Sequence, residues 1–285
     1  MFSRVMTAIA AVGIAAAGVV SGASSASAAV GPGEDRQIST PTSWWTYTGI
    51  TAAQVSSTLQ SNGARLTDLK VDYSGPTLKF TVTEVRNTGA YASSWWWYYG
   101  ITPSQVVSLS LANSARPTVA TCYQVSGTTR CAVIMIGNTG ANAEAWSFWV
   151  GTAAQIDAKV NPSVNRLLSY SRIQGTSSYS AVFGSNTGSD GTAWWYYRGV
   201  SPAQLSLYAW TNHARIIDLD HNDDTGTYNT VMYANPAGTA SVFRVGESLG
   251  SLMIEALQSG ERLFDVSPYI SGGQRVFSGL MVNNS

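Results

Sequence analysis

The chain repeats one pattern of hydrophobic and polar residues five times between residues 44 and 285. Each copy opens with a short aromatic segment, such as residues 95–99, in which an extended strand would carry rings on both faces. A Ser or Thr follows, with an apolar residue four positions later, and this spacing predicts a helix with one buried face. Two alternating segments, such as 64–71 and 80–85, then predict a β-hairpin. The predicted unit is therefore an aromatic strand, a helix and a hairpin.

The start and the length of the helix are the most regular part of the pattern. In four copies the Ser or Thr is followed three residues later by Gln, which predicts a capping box that satisfies backbone amides at the helix start. The cap residues are Thr51, Thr102, Thr152, Ser201 and Ser248, and an arginine stands fourteen residues after each, at Arg65, Arg116, Arg166, Arg215 and Arg262. We expect these arginines to meet helix-end carbonyls or Trp rings. The alternative is a channel lined by guanidinium groups.

Five such units predict a mainly β fold with one short helix per repeat. We predict a five-bladed, propeller-like closed ring in which the first aromatic strand closes against the last hairpin, because the first unit is as aromatic as the middle ones and does not resemble a polar cap. The alternative is an open α/β solenoid. The repeats form a single domain over residues 44–285, divided at about 44–94, 95–145, 146–193, 194–240 and 241–285.

The first 28 residues have the features of a cleaved signal peptide. Arg4 precedes an apolar run over residues 8–20, and Ala26 and Ala28 fit the small-residue cleavage rule. The run is shorter than the roughly 20 residues that span a bilayer. We therefore predict a secreted, extracellular protein without a membrane anchor, in which residues 29–43 form a flexible N-terminal arm.

Charge and composition narrow the classes of function. Lys and Arg number 16, and so do Asp and Glu, which gives a formal net charge of zero. This balance argues against nucleic-acid binding through phosphate neutralisation. The two histidines, His213 and His221, belong to no catalytic motif. We expect no enzymatic activity, no catalytic residue and no cofactor, because the sequence places no base beside a nucleophile.

The two cysteines predict a disulfide. Cys122 and Cys131 occupy the positions that Val71 and Phe80 hold in the first unit. Those positions face each other across the predicted hairpin. In an exported protein, an even number of cysteines in this arrangement is typical of a disulfide.

One cluster of acidic residues lies at residues 218–226. Asp220, Asn222 and Asp224 alternate as calcium ligands do, but the segment lacks the glycine and the glutamate of an EF-hand loop. It is a weak calcium candidate, and we predict a solvated turn and no metal site. Asp218 has an equivalent in two other repeats, which predicts a structural role.

The aromatic strands are the candidate binding platform. Rings on the face turned away from the core either pack against the next repeat, which we favour, or lie open. Open Trp and Tyr rings suit sugar stacking or protein anchoring. The candidate platform consists of Trp45, Trp96, Trp97, Trp149, Trp195, Tyr98 and Tyr197.

The repeat phrase, with Asn-Thr-Gly, then Trp-Trp-x-Tyr-Tyr-x-Gly, Thr/Ser-Pro-x-Gln and Ala-Arg, resembles a Trp-rich tandem repeat family of secreted bacterial proteins. The resemblance covers residues 44–285 and implies a propeller of repeats. It also implies a non-catalytic modulator of the extracellular protease and transglutaminase system, with a neutral metalloprotease as partner and a glutamine donated to a transglutaminase. We predict Gln37, in the arm, as the acyl donor. The alternative function is a lectin-like carbohydrate-binding module that uses exposed rings.

Overall fold

The structure, a computed structural model, describes residues 40–72, 77–140, 143–236, 238 and 241–285. The predicted signal peptide and residues 29–39 of the predicted arm, including Gln37, lie outside these residues. No helix in the described part of the chain combines the length and the apolar character needed to cross a membrane.

Each of the five repeats supplies the predicted elements in the predicted order. Repeat 1 contains β1 (Trp44–Ile50), α1 (Ala52–Asn62), β2 (Ala64–Asp72) and β3 (Lys79–Arg86), and repeat 2 contains β4 (Trp95–Ile101), α2 (Pro103–Ala112), β5 (Ala115–Val125) and β6 (Thr128–Gly137). Repeat 3 contains β7 (Trp146–Thr152), α3 (Ala153–Asp157), β8 (Asn165–Arg172) and β9 (Ser178–Ser185). Repeat 4 contains β10 (Trp194–Val200), α4 (Pro202–Thr211), β11 (Ala214–Asn222) and β12 (Thr227–Ala234). Repeat 5 contains β13 (Ser241–Glu247), α5 (Leu249–Ser259), β14 (Glu261–Ser271) and β15 (Gln274–Asn283).

Each repeat forms its own three-stranded antiparallel sheet, in which the last strand of the repeat lies in the middle. In repeat 1 the order is β1-β3-β2, so α1 connects the two edge strands. The strand β1 pairs with β3 along its backbone. It reaches the last repeat through Trp44, whose ring packs against the apolar core of repeat 5.

The helix caps follow the sequence prediction. In the first four helices the cap hydroxyl accepts from the third helical amide, while the glutamine side chain accepts from the cap amide, at Thr51, Thr102, Thr152 and Ser201. In α5, which has no such glutamine, Ser248 accepts from the backbone amide of Ser251. The predicted helix starts are therefore confirmed.

The helix α3 is shorter than the constant spacing predicts. It ends at Asp157, whereas the other four helices have ten or eleven residues. Pro162 explains the difference, because proline has no amide hydrogen and its ring clashes with the preceding helical turn. The chain continues in turns, in which Val164 and Asn165 both donate backbone hydrogen bonds to the carbonyl of Asn161. These turns take up the remaining residues, so the arginine keeps its position.

Four helices end with a residue in the left-handed backbone conformation. These residues are Gly63, Ser114, His213 and Gly260, with φ of 56°, 49°, 47° and 68°. Glycine adopts this conformation without strain and commonly ends helices. At Ser114 and His213 a non-glycine residue therefore adopts this conformation at some cost.

The aromatic strand of repeat 2, β4, is covered on both faces. In repeat 2, Trp97 points to repeat 1 and meets Phe80 edge-on, with ring centroids 5.9 Å apart. On the other face, Trp96 and Tyr98 pack with Val106 of α2 in the same repeat. One face therefore belongs to the preceding repeat and the other to the strand's own helix.

The last repeat contacts the first. The backbone amide of Val266 in β14 donates to Oδ2 of Asp68 in β2 at 3.2 Å. Near the two ends of the described chain, the amide of Thr42 donates to Oδ1 of Asn284 at 3.0 Å. Hydrogen bonds therefore join segments that lie about as far apart in sequence as the chain allows.

Replacing Thr102 with alanine should lower the free energy of unfolding by about 1 kcal/mol, because the amide of Gln105 loses its cap. Urea unfolding measures the change. Ser108→Ala, at an exposed position of the same helix, is the control and should change stability by less than about 0.5 kcal/mol. Equal losses in the two variants would contradict the capping role.

Candidate functional site

The second strands of the repeats supply the polar interior of the molecule. β2, β5, β8, β11 and β14 contact one another in chain order, and β14 also contacts β2. Their polar side chains therefore meet residues of neighbouring repeats as well as residues of their own sheet.

Lys70, in β2, holds a buried positive charge in this interior. Its Nζ lies 3.5 to 3.7 Å from three carboxylates, those of Asp68, Asp218 and Asp265. Burial alone would lower the pKa of the ammonium, but the carboxylates outweigh it and the pKa of Lys70 is raised. Lys70 is therefore a fixed cation that joins repeats 1, 4 and 5.

The same three carboxylates accept backbone amides from neighbouring repeats. The pairs are Asp68 with Val266 at 3.2 Å, Asp218 with Tyr170 at 2.7 Å, and Asp265 with Leu219 at 3.1 Å. Each bond gives a partner to a strand amide that would otherwise be buried without one. The recurrence of aspartate at this position, seen in the sequence, thus corresponds to a structural contact.

The repeated arginines are buried, and Arg65, Arg116, Arg166 and Arg262 contact residues of the linkers between repeats. Nε of Arg65 donates to the carbonyl of Tyr91 at 2.8 Å, and the guanidinium of Arg262 lies 5.4 Å from the centre of the Tyr91 ring. Arg116 forms an ion pair with Glu144. These partners differ from the helix-end carbonyls and Trp rings that the sequence predicted. The burial of all five arginines argues against a guanidinium-lined channel.

A cavity of about 270 Å³ opens next to this interior. The wall comes from all five repeats and includes Lys70, Cys122, Ser171, Asp220 and Tyr269. Burial raises the pKa of the Asp220 carboxyl to about 6, although the charge of Lys70 acts in the opposite direction. Sequence reasoning missed the cavity because no single repeat contains it.

His221 is buried in the cavity wall. Its Nδ1 lies 2.7 Å from Oδ1 of Asp223, and its ring stacks on that of Tyr269, with centroids 3.8 Å apart. His221 lies in β11, where a carboxylate orients its ring and an aromatic face holds it.

The predicted disulfide is present. Cys122 in β5 and Cys131 in β6 are opposite each other in the ladder and are bonded. Both residues are buried, and Cys122 lines the cavity. The bond therefore fixes the hairpin of repeat 2 where it borders the cavity.

The weak calcium candidate has protein partners for its oxygen atoms. The carboxylate of Asp220 accepts from Ser171 Oγ and from the amide of Arg172. Asp224 pairs with the Arg172 guanidinium at 2.8 Å, and the Asn222 side chain accepts from the Asp224 amide. Among the residues that the structure describes, no group of three or more His, Cys, Asp or Glu side chains is arranged to hold a metal ion.

The candidate aromatic platform does not form one surface. Trp97 is 3% exposed, and its inclusion is wrong because the ring lies between repeats 1 and 2. The half-buried members, which pack on the apolar clusters of their own repeats, are Trp45, Trp96, Tyr98, Trp195 and Tyr197. Trp149 is exposed, and Nζ of Lys159 lies 4.0 Å above its ring. The rings therefore serve mainly the packing within and between repeats.

The helices carry most of the large apolar side chains that are exposed among the described residues. On α4, Leu207 is 53% and Trp210 is 76% exposed. Similar pairs, three or four residues apart and thus on one helix face, are Val107 and Leu111 on α2 and Ile254 and Leu257 on α5. Sequence reasoning examined only the buried helix positions. The absence of charged residues from α2 and α4 was the available signal.

Comparison with known proteins gives no relative. No protein-family model matches the chain, and no curated protein matches it. The function therefore has to be argued from the residues and their geometry.

Proposed function

We propose that this protein is a secreted, non-catalytic binding protein that docks an extracellular protein on the exposed apolar faces of its helices. The observation that carries the proposal is the exposure of Trp210 beside Leu207 on the uncharged helix α4. Exposed apolar patches mark interaction sites, and Trp is enriched among the residues that dominate binding energy. Export is supported by the signal-peptide pattern and by the disulfide.

The partner class comes from the repeat phrase. Its resemblance to secreted tandem repeat proteins favours a neutral metalloprotease and a transglutaminase as partners, and a modulating role. An apolar helix face without charges suits a partner surface of the same character, since no buried charge is left unpaired on binding.

Replacing Trp210 with alanine should weaken binding to a purified extracellular neutral metalloprotease by about tenfold or more, because the ring is a solvent-facing anchor. Biolayer interferometry measures the affinity. Trp149→Ala, which removes an exposed Trp from a strand, is the matched control and should bind as the wild type does. Equal loss in both variants, or no binding by the unchanged protein, would contradict the proposal.

An extracellular transglutaminase should transfer the acyl group of the Gln37 side chain to an amine probe, because Gln37 belongs to the predicted arm that precedes the first repeat. Peptide mapping locates the label. The cap glutamine Gln54 should stay unlabelled, since its side chain is held in the capping box. Labelling of Gln54 without labelling of Gln37 would show that the arm is not the substrate.

We also propose that the five sheets are the blades of a closed, propeller-like ring. Support comes from the contacts between repeats 5 and 1. Besides the bond between Val266 and Asp68, the Thr83 hydroxyl donates to the carbonyl of Phe264 at 3.2 Å. The second strand of repeat 5 contacts that of repeat 1, as the second strands of all other neighbouring repeats contact each other.

A chain truncated after Gly238, which removes repeat 5, should lose its cooperative unfolding transition, because a ring without one blade exposes two apolar interfaces. Urea unfolding followed by circular dichroism tests this result against the full chain. An open solenoid shortened by one terminal repeat would keep a folded core with reduced stability. A retained cooperative transition would therefore favour the solenoid.

A further inference from the structure

Asp220, in β11, is a buried carboxylate that lines the cavity and lacks an ion pair. Its residue is 5% exposed. Among the described residues, no cation lies within ion-pair distance of it, because Nζ of Lys70 contacts the carboxylates of Asp68, Asp218 and Asp265 instead. One ammonium is thus shared by three nearer carboxylates. Asp220 is a fourth carboxylate beside this group.

The other charged groups around the cavity form pairs of their own. These are Arg172 with Asp224 at 2.8 Å, Arg275 with Asp72 at 2.6 Å, and His221 with Asp223 at 2.7 Å. None of them offers an unshared positive charge to Asp220. Burial without a close counter-charge favours the protonated form of a carboxyl group, and a neighbouring carboxylate such as Asp218 acts in the same direction.

The hydrogen-bond partners of Asp220 suit both protonation states. Oδ2 accepts from the amide of Arg172 at 2.8 Å and from Nδ2 of Asn229 at 3.3 Å, while Oδ1 accepts from Oγ of Ser171 at 3.0 Å. A serine hydroxyl can donate or accept. A proton on Oδ1 would reverse the bond to Ser171, whose own hydrogen then points to the carbonyl of Arg172, 3.5 Å away. Asp220 therefore keeps every partner when it loses its charge.

We propose that Asp220 is a proton-binding site, which takes up a proton from solvent through the cavity in mildly acidic solution and thereby stabilises the contact between repeats 3 and 4. The proton adds to Oδ1 and converts the carboxylate to a carboxylic acid. It removes a buried charge that no cation balances, while the bonds to Ser171 and Arg172 across the repeat boundary remain.

The direction of the pH effect follows from linkage. Burial raises the pKa of Asp220 from 3.8 to about 6, so the folded chain binds the proton more tightly than the unfolded chain does. The stabilisation is complete below the pKa of the unfolded chain and is lost as the pH rises through the folded pKa. The opposite holds for Asp157, whose pKa is lowered by its hydrogen bond with Arg198.

Urea unfolding of the full chain at about pH 5 and about pH 7 tests the proposal. Asp220→Asn resembles the protonated form, because its amide can donate to Ser171 and its oxygen can accept from Arg172. The unfolding equilibrium constant of the wild type, relative to that of Asp220→Asn, should be about tenfold smaller at the lower pH. Asp157→Asn removes an exposed carboxylate and is the control, which should show the pH dependence of the wild type between these two values.

A ¹³C NMR titration of the unchanged protein measures the same proton directly and does not depend on the folding of any variant. The carboxyl carbon of Asp220 should titrate with a midpoint near pH 6. The ring of His221 is followed in the same series, which separates its titration from that of Asp220. A midpoint above about pH 5 supports the proposal, since an ordinary aspartate titrates near 3.9. A midpoint below about pH 5, or a folded Asp220→Asn variant with the full pH dependence of the wild type, overturns it.

Discussion

An aromatic strand such as β4 carries rings on both faces, and its own repeat covers only one of them. The helix packs on one face, as Val106 does on Trp96, and the other face needs the preceding repeat, as Trp97 needs Phe80. Because burial of rings this large is a major source of stability, the repeats depend on one another. The contacts between sheets are thus a condition of folding for each unit.

A polar interior accompanies this apolar packing. Three backbone amides in the second strands of repeats 3, 4 and 5 require acceptors. Asp218, Asp265 and Asp68 of the following repeats supply them. Three buried carboxylates would repel one another, and the ammonium of Lys70 offsets this repulsion. Hydrogen bonding and charge therefore act beside the apolar packing in holding neighbouring sheets together.

The sequence predicted what is local and repeated. Cap hydroxyls and cap glutamines mark where the helices begin, and the arginines mark where the second strand of each repeat begins. Each capping interaction spans only a few residues. The strand order within a sheet was not predictable, because the helix returns the chain to the far edge without any pattern marking it. Pro162 was visible in the sequence, but the constant position of Arg166 concealed its effect on α3. The cavity escaped prediction because Gln174, His221 and Arg275 come from three different repeats.

The distribution of the carboxylates makes the order of the repeats matter. Asp68 lies in the second strand of repeat 1, directly after the bulge in its pairing with the third strand. At the equivalent position, repeats 2 and 3 have Val119 and Ser169. The lysine belongs to repeat 1, and its acidic neighbours in other repeats belong to repeats 4 and 5. Exchanging repeat 2 with repeat 4 would preserve every cap and every arginine, yet it would put Val119 in the place of Asp218, so the amide of Tyr170 would lose its acceptor. The five repeats have the same secondary-structure elements, but their buried side chains differ and suit one position in the chain. Duplication or shuffling of whole repeats would therefore no longer yield an equivalent protein.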